Sequence, residues 1–453
     1  MSNPLIPKLK QTRAEHSDTV TAHPPEHLSQ ILIISYLYSP IDNAGTRPIV
    51  KTAKYLPQFG YQPVILTTRN YGHLPDDDDK LIFRADELLG LLKRGYRFLK
   101  LRDVPAERQA DHGLLPQGGR LERWKLKYLI PDPKIIWYLP AVRQGQKIIQ
   151  WQSIQCLYSI SPPQTSHLVA LKLKQKSGLP WVVDFRDGWL FEPLIPARLT
   201  SRFRYRLEAR FERAVIEAAD WIIAVNDVMA ADLSQRYPQA ANKITVGPNG
   251  YDPEDFASLQ RQPGPSDKFR LVYTGSLSLS RVGTSVEGLL QALSAMQSQQ
   301  LPMMRHLEVV LIGNLAEAER QAIKSAKLDG YFTLVGHVPY QEALQYQLNA
   351  DVLLLVVTPQ ATGISTSKLF EYLATGRPIL ALSGQSVAAQ LVSEMKAGVV
   401  VAPNDVAGIQ NALQSFYHRW QAGQLLSQVA PAVNQFDRRE LTRHLAHIFD
   451  EVI

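Results

Sequence analysis

Several absences bound what this chain can be. Its 453 residues include a single cysteine, Cys156, so no internal disulfide forms and a reducing, cytoplasmic setting is expected. No stretch approaches the ~20 apolar residues of a membrane-spanning helix. The segment from Met1 to Lys10 carries charge but no apolar run of the secretory type. The loop after the first expected strand lacks G-x-G-x-x-G, which argues against a nicotinamide or flavin enzyme. There is no credible cluster of metal ligands and no Ser-His-Asp order, so neither a metal nor another cofactor is expected.

What is present describes a globular protein of more than one core. At 45% apolar and 20% charged residues the composition is ordinary, and the length exceeds what one hydrophobic core serves, which points to two domains. The net charge of +7 is uneven. Between residues 80 and 128, basic residues such as Arg94, Arg97, Arg120 and Arg123 outnumber acidic ones and alternate with Leu, Phe, Tyr and Trp. That insertion suits an anionic partner, either a phosphate-bearing acceptor or an anionic membrane face, and equally a solvated basic surface; no nucleic-acid motif accompanies it. The run Asp76 to Asp79 follows Gly72 and Pro75 and reads as a solvated acidic loop, not as a metal site.

In chain order, residues 1–28 are polar with scattered prolines and read as a disordered tail. Ile31 to Tyr36 is a continuous apolar run of the buried parallel-strand type. It leads into a loop with Gly45, Thr46 and Arg47, placed for a phosphate or an acceptor group, and a helix opened by Pro48. Tyr61 to Thr68 reads as the next strand and Leu81 to Tyr96 as a helix. Strands at Cys156 to Ile160 and Trp181 to Asp187 follow, with His167 between them as a surface or packing residue. Leu199, Phe203, Leu207, Phe211 and Val215 recur every four residues beside Arg198, Arg202, Arg206 and Arg210, predicting an amphipathic helix with a solvated arginine face shared with Glu208 and Glu212. Residues 29–256 form one α/β domain, 257–268 with Pro263-Gly264-Pro265 a linker, 269–430 a second alternating domain, and 431–453 a terminal helix returning to the first.

The stretch Ser365 to Leu380 organises the second domain. Hydroxyl residues behind Gly363 offer helix caps, Leu369 and Leu373 give a buried stripe, and Gly376 ends the helix before a strand. Lys368 and Glu371 lie three residues apart beside amides that point back along the loop, which suits a nucleoside diphosphate. The same spacing also suits an ordinary exposed ion pair.

Four signatures in order decide between them. They are Ser161-Pro162-Pro163 with Asp184-Phe185-Arg186-Asp187-Gly188-Trp189; Pro248-Asn249-Gly250-Tyr251-Asp252; Tyr273-Thr274-Gly275-Ser276; and Ser367-Lys368-Leu369-Phe370-Glu371-Tyr372 with Gly376-Arg377-Pro378. Together the chain resembles the GT-B glycosyltransferases of retaining family 4. The resemblance implies two Rossmann-like parallel-sheet domains facing across a cleft and sugar transfer from a nucleotide-sugar to a saccharide or lipid-linked saccharide, as in cell-surface polysaccharide assembly at the inner face of the membrane. It implies that Glu371 accepts from the two ribose hydroxyls, that Gly275-Ser276 admit the diphosphate, and that Lys368, with the amides of Thr366 and Ser367 and with Arg281, neutralises it. Many relatives carry a glutamate where Gly363 stands, so the sugar would be held by backbone around Gly363, Ile364 and Ser365. Relatives often have a histidine at Arg186, and Arg186 with Asp187 would take over sugar or acceptor contacts. A nucleotide-sugar 2-epimerase and a non-catalytic nucleotide-sugar-binding partner stay open beside this reading.

Overall fold

The computed structural model describes residues 28–74, 76–77, 80–88, 128–191, 201–262, 267–275, 286–357, 363, 366–425 and 429–453. The expected tail up to residue 27, nearly all of the basic insertion, and Ser276, Arg281, Ile364 and Ser365 lie outside the described residues. The chain divides into two compact units, residues 1–248 with 441–453, and residues 249–440. The stretch around Arg261 belongs to the second unit, where Arg261 reaches Asp351 and the Gln262 amide donates to Asn349.

The first unit is built on a seven-stranded parallel sheet: β1 (Ser29–Ile34), β2 (Tyr61–Thr68), β3 (Ile82–Ala85), β4 (Ile154–Ser161), β5 (Trp181–Phe185), β6 (Trp221–Ala224) and β7 (Ile244–Val246), in the order β3-β2-β1-β4-β5-β6-β7. In β1 each side chain from Ile31 to Ile34 is fully buried, and alternate residues serve opposite faces of the sheet. Leu32 and Ile34 join one apolar cluster with Val64, Leu66 and Trp181; Ile31 and Ile33 join another with Ile65 and Tyr158. Helices α1 (Arg47–Tyr55), α2 (Tyr138–Trp151), α3 (Thr165–Ser177), α4 (Arg202–Ala218) and α5 (Asp227–Arg236) complete the alternation. The terminal helix over Arg438–Val452 supplies Leu445, Ala446 and Phe449 to the cluster around Ile31. There the Phe449 ring meets Tyr61 and Tyr158 edge-on, and the Tyr61 hydroxyl donates to Asp450.

Three expectations need correction in this unit. The helix expected from Leu81 is a strand over Ile82–Ala85, paired in parallel with β2 from Ile65↔Ile82 to Thr68↔Ala85, because the open edge of β2 offers it a complete hydrogen-bond ladder. Asp77 is not a solvated residue: its side chain is fully buried against that of Arg84. In α4, Arg202, Arg206 and Arg210 do face solvent, but the buried face carries Arg204, Glu208, Glu212, Val215 and Ile216, whereas Phe203 is 72% exposed. Partners from elsewhere in the chain explain this inversion. Arg204 binds Glu208 and the carbonyl of Pro131, and Glu212 accepts from the Leu190 amide, the Tyr237 hydroxyl and Arg236, so each buried charge is paired.

His167, in the first turn of α3, is a packing residue. It is fully buried, its Nδ1 lies 2.8 Å from Ser159 Oγ and its ring meets Phe185 edge-on. Burial holds its pKa down to about 3, well below the ordinary 6.5. The unfolded chain therefore takes up a proton there that the folded chain refuses. Stability is unaffected above pH 6.5 and falls by about 1.4 kcal/mol per pH unit below it. Denaturant titrations at pH 7, 6 and 5 should show this loss in the natural protein and a flatter dependence in His167→Leu.

The second unit has a six-stranded parallel sheet: β8 (Phe269–Thr274), β9 (Leu307–Ile312), β10 (Phe332–Gly336), β11 (Val352–Val356), β12 (Ile379–Leu382) and β13 (Gly398–Val401), in the order β10-β9-β8-β11-β12-β13. Its helices are α6 (Glu287–Ser298), α7 (Glu317–Ser325), α8 (Tyr340–Asn349), α9 (Ser367–Thr375), α10 (Val387–Glu394) and α11 (Val406–Gln421), and α12 (Arg438–Val452) begins at its end. The order steps outward from β8 in both directions, so the loops leaving β8 and β11 flank the point where the winding reverses. In open α/β sheets ligands bind beyond the carboxyl ends of strands at such a point.

Candidate functional site

Beyond the end of β8, the backbone itself shapes the site. Gly275 has φ of +113° and its amide donates to the Ile312 carbonyl at 2.6 Å. Gly313, at the end of β9, has φ of +126°, and a Cβ there would stand 2.5 Å from the Gly275 carbonyl oxygen. Both positions require glycine, for conformation and for space. A Cβ on Gly275 would collide with the ammonium of Lys368 and lie 2.8 Å from its Cε, so the lysine side chain runs directly over this glycine.

Lys368 stands in the first turn of α9. Its Nζ donates to the Tyr273 hydroxyl at 3.1 Å and lies 4.7 Å from the centre of that ring, which fixes the cation by a hydrogen bond and by the face of the aromatic quadrupole. Thr366 occupies the N-cap position with extended backbone, and its side chain makes no capping bond. The helix closes at Gly376, left-handed with φ of +65°. Its apolar residues Leu369, Phe370 and Leu373 are buried, which holds the first turn in place from below.

Glu371, less than one turn after Lys368, is 7% exposed and its carboxylate is held on both oxygens. Gln347 Nε2 donates to Oε2 at 3.0 Å, and the Tyr340 hydroxyl donates to Oε1 at 3.3 Å. Gln347 Nε2 also donates to Thr274 Oγ1 at 3.0 Å, and the Thr274 amide donates to the Tyr372 hydroxyl at 3.1 Å. Burial, only partly offset by Lys368, pushes the Tyr372 pKa up to about 12, so this phenol is a neutral strut between α9 and β8. Of the residues expected here, the structure gathers Gly275, Lys368 and Glu371 through shared or adjacent partners, sets Thr366 and Ser367 at the head of the same helix, and places Gly363 in a buried turn.

In the first unit, Arg186 follows β5 and turns inward. Its Nε and one terminal nitrogen donate to Asp184 Oδ2 at 2.9 and 2.6 Å, and the other terminal nitrogen donates to the carbonyls of Gly247 and Pro248 at 3.0 and 3.1 Å. Asp184 also accepts from the Tyr158 hydroxyl. This guanidinium clamps the ends of β5 and β7 together, while its neighbour Asp187 is half-buried. In the loop after β1, Asn43 Oδ1 accepts from the amides of Gly45 and Thr46 and from Thr46 Oγ1 at 2.9 to 3.0 Å. Gly45 is exposed there, Thr46 is buried, and Arg47 pairs with Asp42 at 2.6 Å.

Residues 46–250 match the glycosyl transferase 4-like domain, and residues 268–419 match the domain of glycosyl transferases group 1. The chain is thus made of two glycosyltransferase domains, one 4-like and one of group 1. Its GT-B fold is shared with solved structures along nearly the whole length. A sucrose-phosphate synthase from Thermosynechococcus elongatus superposes with a TM-score of 0.63 at 16% identity, over 93% of this chain and 98% of that one. A glycosyltransferase from Rickettsia africae gives 0.61 at 12% identity, over 94% and 99%. The Anabaena protein HepE, solved with UDP and glucose, gives 0.57 at 15% identity, over 94% and 100%. No curated protein sequence matches the chain.

In this glycosyltransferase the sequence reading gave no role to Tyr340, Gln347, Tyr273, Thr274 or Tyr372. The last three stand inside quoted signatures. Tyr340 and Gln347 lie seven residues apart in α8, two helical turns, a spacing that puts both on one face and was a usable signal.

Proposed function

We propose that this protein is a retaining, metal-independent hexosyltransferase that moves a sugar from a nucleotide-sugar donor to a saccharide or lipid-linked saccharide acceptor. The observation carrying this reading is the constellation of a fixed cation, a held carboxylate and a side-chain-free backbone at the carboxyl end of one sheet: Lys368, Glu371 and Gly275. A carboxylate suits a ribose diol because it accepts from both hydroxyls. Gly275 lets a diphosphate approach the main chain, and Lys368 with the α9 amides answers its charge. The acceptor oxygen would bond to the anomeric carbon as the bond to the diphosphate breaks on the same face, with the hydroxyl proton passing to a phosphate oxygen. The negative charge that develops on the leaving group falls to Lys368, with no metal ion called for.

The acceptor would be taken by the first unit, with Arg186 holding Asp184 and the strand ends in place and Asp187, Gly45, Thr46 and Arg47 as contact residues. The basic composition of residues 80–128 supports an anionic, phosphate-bearing acceptor or an anionic membrane face, and hence work at the cytoplasmic side of a membrane in cell-surface polysaccharide assembly. No helix among the described residues is long and apolar enough to cross a membrane.

The donor site is tested by melting the protein with UDP, GDP, ADP or dTDP. A ligand at a hundred times its dissociation constant stabilises by about 2.7 kcal/mol. One of these diphosphates should raise the melting temperature of the natural protein and leave Glu371→Ala unmoved. An equal shift in the two proteins, or none with any diphosphate, overturns the reading.

A further inference from the structure

The helix that carries Tyr340 and Gln347 does more than cover the sheet. Gln347 is 1% exposed, and both hydrogens of its amide nitrogen are spent, one on Glu371 Oε2 and one on Thr274 Oγ1, each at 3.0 Å. Its amide oxygen is buried and has no hydrogen-bond partner among the described residues. Turning the amide over would give that oxygen the Thr274 hydroxyl as a donor but would set it against a carboxylate, so charge decides the orientation. An orphaned buried carbonyl is a cost that packing alone gives no reason to keep. What the protein gains from it is the direction of one carboxylate.

We propose that Gln347 is a positioning residue for donor recognition: it pins Glu371 Oε2 to the end of β8, so that the carboxylate presents its remaining lone pairs in one fixed plane to the ribose diol of a nucleoside diphosphate. This rests on the donor-site reading above. Tyr340 steadies the other oxygen, and the Gln347–Thr274–Tyr372 chain ties α8, β8 and α9 into one frame directly before Gly275. Diol and diphosphate recognition are thereby held at a set distance from each other. Glu371 left without Gln347 would keep its charge and lose its aim.

The test is calorimetric titration of the natural protein, Glu371→Ala, Gln347→Leu and Gln347→Glu with UDP, GDP, ADP and dTDP, at pH 5.5 and pH 8. Gln347→Leu should weaken the preferred diphosphate by roughly tenfold or more, as loss of a hydrogen bond to a charged group does. Gln347→Glu separates positioning from packing, because its shape is that of glutamine. Two carboxyls this close share a proton. At pH 5.5 the shared proton restores the bond to Glu371, and the affinity relative to the natural protein should approach one; at pH 8 repulsion should lower that ratio severalfold. Taking the ratio at each pH cancels the titration of the ligand itself. Natural affinity in Gln347→Leu, or a Gln347→Glu protein that binds severalfold more weakly than the natural one at both pH values, overturns the proposal while Glu371→Ala still reports on the donor site. If the natural protein binds none of the four, the donor-site reading falls and takes this one with it.

Discussion

Lys368→Ala should lower the rate of sugar transfer by roughly 10²–10³-fold, the usual cost of removing one preorganised group that stabilises developing charge. The reasoning is geometric. The ammonium is held on Tyr273 by a 3.1 Å hydrogen bond and by the ring face 4.7 Å away, so it needs no reorganisation when charge appears on a leaving diphosphate. Lys368→Arg should not restore the rate, because the side chain runs so close over Gly275 that a single added carbon there would collide with it, and a planar guanidinium is wider than an ammonium. Neither variant should melt more than a few degrees below the natural protein, since the apolar face of α9 that secures the helix is Leu369, Phe370 and Leu373. Steady-state kinetics with the preferred nucleotide-sugar, run beside a melting curve, checks both statements. Transfer that stays within a few-fold of natural in Lys368→Ala would move the catalytic cation elsewhere.

The largest expected effect on stability lies in the acidic run. Asp77→Ala should destabilise the first unit by about 3–5 kcal/mol, because it strands a buried guanidinium. The side chains of Asp77 and Arg84 are 0% and 2% exposed, with Arg84 Nε and a terminal nitrogen donating to the carboxylate at 2.5 and 3.1 Å. Asp77 also accepts from the Leu74 amide and faces His73 at 2.9 Å, while Arg84 donates to the Ser39 carbonyl at 2.7 Å. The pair therefore ties β3 to the loops after β1 and β2. Burial pushes the Asp77 carboxyl up, but Arg84 and the amide outweigh it and leave the pKa below its ordinary 3.8. Its contribution is then present above that value and lost as pH falls through the lower folded one. Asp76→Ala next to it removes only an exposed pair with Lys80 and should leave stability unchanged. Replacing both partners, as Asp77→Leu with Arg84→Met, should recover most of the loss. Chemical denaturation of the four proteins settles the comparison.

Which features were legible in the sequence follows from where their partners lie. Strands buried on both faces, such as Ile31 to Ile34 and Val352 to Val356, announce themselves as apolar runs, and the αL stop at Gly376 is a local property of glycine. That Lys368 and Glu371 are neighbours on one helix was legible for the same reason. Asp77 differs from its expected place because its counter-ion is on the next strand, and α4 because polar partners from other segments, the Arg236 guanidinium and the Pro131 carbonyl among them, let Glu212 and Arg204 sit inside where a four-residue apolar repeat seemed to belong. The inward turn of Arg186 depends on carbonyls at residues 247 and 248, 61 and 62 positions away. Gln347 meets Glu371 across 24 positions, a pairing that only the fold brings together.

The return of α12 to the first unit has a consequence for synthesis. Residues 249–440 are translated between the body of that unit and the helix that completes it. At roughly 5–20 residues per second, on the order of ten to forty seconds pass between the two. Throughout that interval the nascent chain lacks Leu445, Ala446 and Phe449, and the cluster of Ile31, Ile33 and Tyr158 has Ile49, Ala53 and Leu56 of the earlier chain over it but not the terminal helix. The domain begun first is thus completed only after the second has been made.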